Sequence, residues 1–428
     1  MAIPPVCVIL AGGKGTRLSA LAWHRAKPAV PFCGIFRLID FTLSNSANSG
    51  LMRVGILTQY LPLSLMDHIN DGSPWDMSAR NREMRILPPQ EGANAKDWYQ
   101  GTAHAIYQNL DFILRGNEKE VMILSGDHIY HMDYRQMIEF HREKNADFTI
   151  ATIPVSPTDA KRFGIAVTDN ENRIIDFQEK PDHPKSLLGS MGIYIIERNI
   201  LISQLEKIIC QGKTDIGGDL VPSMLQSHKI FAFPFDGYWR DVGTLESYWQ
   251  SSMDALDAKL SGLALTQWNL RTNIFSPEMI GRPPVQFGVK ANVNKSLISS
   301  GCLIEGAVYR SILSPGVHVE KDAVVEDSIL FHDVTVGKHS RIHKVIADKN
   351  AIIGSNVMMG LEGCDIPNQT YPDHLNTGIT LLGKNIDIPD DFSIQSNCLI
   401  INNVKLDNYP SKRIAAGETV DNRTQRHR

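Results

Sequence analysis

Several short stretches of the 428-residue chain combine residue types that do chemistry on phosphates. The first, ILAGGKGTRL at 9–18, carries an apolar segment straight into Gly12, Gly13 and Gly15, with Lys14 and Arg17 beside them. Glycines allow tight turns that present backbone amides, and cations follow phosphate oxygens. The spacing is neither GxxxxGK[ST] nor GxGxxG, so a Walker loop and a dinucleotide fingerprint are both unmet. Shortly after it, HRAKPAV adds Arg25 and Lys27. A polyphosphate is the ligand this pattern suits. The plain alternative is a glycine turn with ordinary surface cations, weakened because four cations fall within fourteen positions of small and apolar sequence.

Carboxylates supply the second ingredient. Asp127 ends an apolar run in VMILSGDHIY, and Asp241 sits among aromatics and glycines in GYWRDVGT. Hard oxygens at a strand end suit Mg²⁺, which keeps waters and substrate phosphates among its ligands. The competing roles are a helix cap for Asp127 and an ion pair with Arg240 for Asp241. His128 and His131 flank Asp127 and are read as structural, since a zinc-type site would need a third ligand. In DFQEKP, Glu179 can accept sugar hydroxyls while Lys180 meets a phosphate monoester; an alternating surface strand explains the pair equally well. KDWYQGTAHAI places Trp98, Tyr99, Gln100, Gly101 and Thr102 on a loop before a helix, a combination suited to a nucleotide or sugar. Gly164 and Ser190 stand at expected strand starts, where a small side chain lets a ligand lie close.

These residues need strands and helices to hold them. Apolar runs at 6–10, 53–58, 121–125, 148–154, 164–168 and 190–196 read as strands, with helices over 40–49, 104–115 and 134–144. Such interleaving predicts an α/β, Rossmann-like domain with a mostly parallel sheet, whose ligands lie at the carboxyl ends of the strands. From about residue 285 the period changes. Leu382, Ile388, Ile394 and Ile400 recur every sixth residue, as do Val319 and Val325, then Val336 and Ile342. One inward aliphatic per six residues predicts a left-handed parallel β-helix of hexapeptide repeats, with a β-sandwich as the alternative. Segment 359–378 breaks the repeat and reads as a loop leaving the coil. The expected organisation is a nucleotidyltransferase-type domain over 1–258, a linker over 259–284 and the β-helix over 285–428.

Composition narrows the class. The chain is 43% hydrophobic, with 43 Lys and Arg against 47 Asp and Glu for a net charge of −4, and no long basic run offers a nucleic-acid surface. Its six cysteines never fall in CxxC spacing, which fits a reducing compartment. The first residues carry no basic region ahead of their apolar run, and no apolar stretch reaches the roughly 18 residues a membrane span needs. A cytoplasmic protein with no membrane partner is expected.

Taken in order, LAGGKGTRL, RAKPAVPF, RLIDFTLSNSANSG, GILTQY, WYQGTA, SGDHIYHMDY, FGIAV, EKP, SMGIY and YWRDVGTLESYW resemble the sugar-nucleotide pyrophosphorylases. Within them the sequence is most similar to the bacterial-type glucose-1-phosphate adenylyltransferases. The resemblance covers the catalytic half in sequence order, and the hexapeptide half extends it to nearly the full length. It implies ATP and α-D-glucose 1-phosphate as substrates, ADP-glucose and pyrophosphate as products, and direct attack at the α-phosphorus with Mg²⁺. Asp127 and Asp241 match the metal ligands, Arg17 and Lys27 the triphosphate-holding cations, and Tyr99, Gly164, Glu179, Lys180 and Ser190 the glucose 1-phosphate positions. Leu10, Gly12, Gly13, Gly15, Thr16, Gln90, Gln100, Gly101 and Thr102 complete the expected substrate-contacting set. A homotetramer and an allosteric phosphorylated metabolite are also implied, with Arg25 as an anion-site candidate.

The sequence departs from the family pattern at Ile35 in CGIFR, at His24, His104 and His131, and in TDIGGDLVP. These read as changes in regulation or interdomain contact. The nearest alternatives are a nucleotidyltransferase using dTTP, UTP or GTP, and a non-catalytic regulatory subunit. A third is a hexapeptide acyltransferase drawing on His332, His339 or His343, for which solvated β-helix residues are the simpler explanation.

Overall fold

A computed structural model describes residues 3–89 and 98–422. Its first half is built on one nine-stranded mixed sheet. At the centre lies Val6–Leu10, five residues long and buried throughout except at its end. It pairs in parallel with Arg53–Leu57 on one side and Glu120–Ser125 on the other. Strands buried on both faces need no polar alternation, which explains the unbroken apolar runs. Beyond Glu120–Ser125 the sheet turns antiparallel: Leu188–Glu197 pairs with it and with Phe148–Pro154 and Gly164–Thr168. The sheet is thus parallel beneath the glycine loop and antiparallel on the side of Glu179.

Several elements differ in detail from the sequence reading. The helix expected over 104–115 is two pieces, Thr102–Gln108 and Leu110–Leu114. Asn109 breaks it with non-helical backbone, its amide donating to Ala105 O at 2.9 Å and to the Tyr99 hydroxyl at 2.9 Å. The helix expected from residue 40 begins at Leu38, and Asp40 closes a capping box by accepting the Arg37 N–H at 2.9 Å. Ser190 is the third residue of its strand, just before a register shift at Gly192 (φ +67°). That irregularity bends the strand where it passes Ser125 and His128.

From Gln286 onward the chain winds as three parallel sheets of six, seven and seven strands. Ladders such as Ile304–Val319–Val336–Ile353–Ile388 stack one buried aliphatic per coil. The six-residue period is kept along the last coil, from Leu382 through Ile388 and Ile394 to Ile400. Earlier coils shorten one side to five residues, between Val325 and Leu330 and between Ile342 and Ala347. Asparagine and aspartate, more than glycine, turn the corners. Asp322, Asp327, Asp333, Asn350, Asn356, Asn385, Asp391, Asn397 and Asn403 all have φ between +51° and +63°. Their short polar side chains tolerate the left-handed region and bond to the next coil, as Asn350 does to Asn385 at 2.9 Å. The chain leaves the coil after Met359, one residue later than expected because Met359 still pairs in its ladder, and returns at Thr380–Leu382.

The two halves share one apolar core. Leu18, Leu21, Val30, Phe32, Phe41, Leu245 and Tyr248 cluster with the inward side chains of the β-helix. Arg25, the sequence's anion-site candidate, is instead committed to both oxygens of Asp348 at 2.8 Å, with both side chains buried. Segment 259–284 does not hang free: Trp268 is buried, Asn273 donates to His68 O at 2.9 Å, and Arg282 grips Asp333 at 2.6 and 2.7 Å. CGIFR lies at this junction, where a Cβ on Gly34 (φ +87°) would stand 2.5 Å from Ser299 Oγ. His131 stacks on Trp268 at 5.5 Å. His104 does something more local, its Nδ1 accepting the Gln100 N–H at 3.1 Å.

Candidate active site

The glycine loop leaves the end of the central strand as the sheet order predicts. Gly15 adopts φ +62°, and a Cβ there would meet Lys27 Cβ at 3.1 Å and Ala22 Cβ at 3.0 Å. Only glycine meets both demands, and its contact fixes the stem of Lys27. Thr16 and Arg17 open a short 3₁₀ turn directly after it, exposed to solvent. Gly12 lies against Gln59, while a Cβ on Gly13 would meet no atom of the described residues within 4 Å.

Asp127 and Asp241 lie far apart in sequence and meet in space. The strands His128–Tyr130 and Trp239–Asp241 pair antiparallel, with Asp241 opposite His128. Lys27 Nζ stands between the carboxylates, 2.7 Å from Asp127 Oδ2 and 3.1 Å from Asp241 Oδ1. Ser125 Oγ donates to the other Asp127 oxygen. Neither alternative role holds: the helix cap is Asp133, accepting the Arg135 N–H, and Asp241 faces Lys27 and Arg162. Burial opposes charge on both carboxyls, yet Lys27 and His128 hold both below the usual carboxylate range. Burial likewise opposes charge on Lys27, and the two aspartates outweigh it, raising its pKa. Asp127, Asp241 and Lys27 are therefore all ionised at neutral pH.

Such a pair of ionised, hard oxygen donors fits a divalent cation of the Mg²⁺ kind. His128, read from sequence as structural, belongs to this group. Its Nε2 is 3.7 Å from Asp127 and 3.8 Å from Asp241, with Trp239 edge-on to the ring at 5.3 Å.

A cleft of about 340 Å³ opens beside Asp127, lined by Leu10, Gly12, Gly13, Gln100, Gly101 and Thr102 among others. Leu57, Gln59, Ala105 and Ser125 line it too and were not singled out from sequence. Gly101 is forced by packing, since a Cβ would sit 2.5 Å from Thr214 O. Thr102 Oγ1 donates to Asp215 at 3.0 Å and accepts the Ile216 N–H at 2.9 Å. Tyr99 also borders the cleft, but its hydroxyl points inward. It donates to Leu87 O at 3.0 Å, accepts from Asn109, and burial lifts its pKa to about 12. Gln90 lies outside the described residues.

Glu179 and Lys180 lie near Asp215, the residue to which Thr102 of the cleft donates. Glu179 pairs in register with Gly164 and sits 2.9 Å from Lys180 Nζ. A Cβ on Gly164 would lie 3.0 Å from Glu179 Oε2, and one on Gly217 only 2.4 Å away. The IGGD stretch is therefore the missing signal for this pair: its glycine makes room for the carboxylate. Lys180 holds φ +46°. That strain is typical of residues whose position matters more than their local energy. Arg17 is near enough to lower the Lys180 pKa, although the bond to Glu179 raises it overall. Ser190 is buried, its Oγ accepting the Gly192 N–H at 3.3 Å.

Two family models match the chain: nucleotidyl transferase over residues 6–258, and the GlmU-like C-terminal hexapeptide over 284–382. Glucose-1-phosphate adenylyltransferase of Thermomicrobium roseum is 46% identical over 418 residues, 97% of each chain. The enzyme of that name from Acetivibrio thermocellus is 40% identical over 421 residues, again 97% of each. That of Bacillus mycoides is 46% identical over 351 residues, 81% of this chain and 92% of its own. Family models match residues 6–258 and 284–382, and the chain aligns with the first two of these relatives over 97% of its length: it belongs to the glucose-1-phosphate adenylyltransferase family of nucleotidyl transferases.

Proposed function

We propose that the protein transfers the adenylyl group of ATP to α-D-glucose 1-phosphate, releasing ADP-glucose and pyrophosphate. One observation carries this reading: two ionised carboxylates flank Lys27 beside a glycine-lined cleft, with the Glu179–Lys180 pair close to Arg17 of the same loop. A phosphate oxygen of glucose 1-phosphate attacks the α-phosphorus, the new P–O bond forms, and the bond to the β-phosphate oxygen breaks. The nucleophile is already an anion, so no base is required. Positioning and charge neutralisation do the work. Amides of Gly12, Gly13 and Gly15 meet the triphosphate, with Arg17 and Lys27 on its oxygens. Lys180 holds the sugar phosphate; Glu179 and Ser190 hold sugar hydroxyls, and Gly164 lets the sugar lie close. Tyr99 contributes its ring and backbone, since its hydroxyl is engaged. Asp127 and Asp241 would hold Mg²⁺, which supplies charge neutralisation at the transferring phosphate.

The same reading includes a cytoplasmic homotetramer answering to a phosphorylated metabolite. Exposed Phe287, Val289 and Val293 on the first coil support assembly. Pyrophosphate release measured with ATP, dTTP, UTP, GTP and CTP, each against several sugar 1-phosphates, tests the substrates. ATP with glucose 1-phosphate is expected to exceed every other pair at least about tenfold in kcat/KM. Preference for another base, or no release from any pair, overturns the assignment.

A further inference from the structure

Arg162 ends the short turn Asp159–Arg162, immediately before Phe163 and Gly164. Its Nη2 is buried and has no hydrogen-bond partner among the described residues. The nearest acids are too distant to bond it: Asp241 Oδ2 is 3.6 Å from Nη2, and Asp159 Oδ1 is 3.7 Å from Nη1. A second guanidinium lies beside it. From the position a Cβ would take on Gly243, Arg162 Nη2 and Arg17 Nη2 are each 3.1 Å away, and Asp241 Oδ2 is 2.9 Å away. Two guanidinium tips and one carboxylate thus crowd a residue with no side chain. Like charges repel and a buried donor without an acceptor is costly, so this arrangement calls for an anion.

The surrounding space fits one. A cavity of about 420 Å³ is lined by Arg162, Arg240, Asp241, Phe163 and Trp239. It opens on Asp241, whereas the glycine-loop cleft opens on Asp127, and Lys27 Nζ stands between the two carboxylates. An α-phosphate reacting near that ammonium has one cleft on each side, and Arg162 belongs to the Asp241 side.

We propose that Arg162 is a further substrate-binding cation of this site, holding with Arg17 the pyrophosphate that leaves on adenylyl transfer. The assignment rests on the function proposed above and adds a residue and a direction to it. A guanidinium offers paired N–H donors that match two phosphate oxygens, which a lysine cannot reproduce.

The reverse reaction isolates this contact, because pyrophosphate is then a separate substrate. With ADP-glucose, Mg²⁺ and pyrophosphate, ATP formation gives both Michaelis constants. Arg162→Gln should raise the pyrophosphate KM about tenfold or more and leave the ADP-glucose KM within about twofold. Arg162→Lys should recover part of the loss. Gly243→Ala, which crowds both guanidinium groups, should reproduce the selective effect. An unchanged pyrophosphate KM, or equal changes in both constants, overturns the assignment. If wild-type protein forms no ATP from ADP-glucose but uses UDP-, dTDP- or GDP-glucose, the nucleotide assignment falls. The pyrophosphate KM of the same variants then still decides the role of Arg162.

Discussion

Two clusters of charge among the described residues are built from the same ingredients to opposite ends. In the catalytic half, Lys27 holds Asp127 and Asp241, and the group faces open clefts through both carboxylates. At the junction with the β-helix, Arg25 holds Asp348, and Lys349 and Arg37 reach Glu278 beside His332. There the void beside Arg37, Glu278 and His332 is about 10 Å³, too small for a substrate. Salt bridging alone therefore says little about role. A cluster with open space on both flanks suits a ligand. One closed on itself joins two parts of a fold.

The largest effect should come from Asp127→Asn. It removes one of two anions facing the cleft, and kcat should fall about 10³-fold or more while far-UV circular dichroism stays unchanged. Turnover within tenfold of wild type would erase the distinction between the clusters. Asp348→Asn should do the reverse. It leaves the Arg25 guanidinium buried without its counter-charge, at a cost of about 3–5 kcal/mol in denaturant unfolding. Turnover per folded molecule should change far less than in Asp127→Asn.

Acidification should weaken the junction in two steps. Burial, reinforced by Lys349, pushes the His332 imidazole down to about 3 from 6.5. The unfolded chain therefore takes up this proton first. The contribution is complete above pH 6.5 and is lost as pH falls toward 3. Burial opposes ionisation of Glu278, but Lys349 and then His332 and Arg37 bring it down to about 2 from 4.5. Its contribution is present above pH 4.5 and lost below that. Melting temperatures from pH 7.5 to 4 should fall, and His332→Gln should flatten the upper part of the curve. A slope unaltered by that substitution assigns the loss elsewhere, with buried His141, pushed down to about 4, as the next group to replace.

The smallest effect is expected for Tyr99→Phe. Its hydroxyl serves Leu87 O and Asn109, so about 1 kcal/mol of stability should be lost. The KM for glucose 1-phosphate should hold, and a several-fold rise would return that hydroxyl to the sugar side.

Much of this was legible in the sequence because it is local. Gly12, Gly13 and Gly15 follow an apolar strand, and one inward aliphatic every six residues needs only counting. The six-residue spacing holds across the last coil, while the five-residue sides were missed because a single-residue shortening leaves most of the pattern intact. Site features that depend on distant pairings were not legible. Asp241 meets Asp127 only because two three-residue strands pair. Arg162 carries no motif and gains its meaning from Gly243 and Arg17, far away in the chain. Arg25 looked available because its partner, Asp348, lies in the other half. The hydroxyl of Tyr99 looked free because nothing local reveals that Asn109 breaks the following helix and turns toward it.

The excursion at 359–378 shows how the second half could have been shaped without rebuilding it. Met358 and Met359 still pair in register with Ser393 and Ile394 across that detour, so added chain leaves at a corner and the ladder closes behind it. Tyr371 on the detour reaches Trp23 of the catalytic half at 6.3 Å, and Lys344 ties its return by donating to Thr377 O at 2.6 Å. The coil is in this sense a rail with one movable tab. Lengthening or trimming the tab changes what it touches on the enzyme, while the rail keeps its gauge.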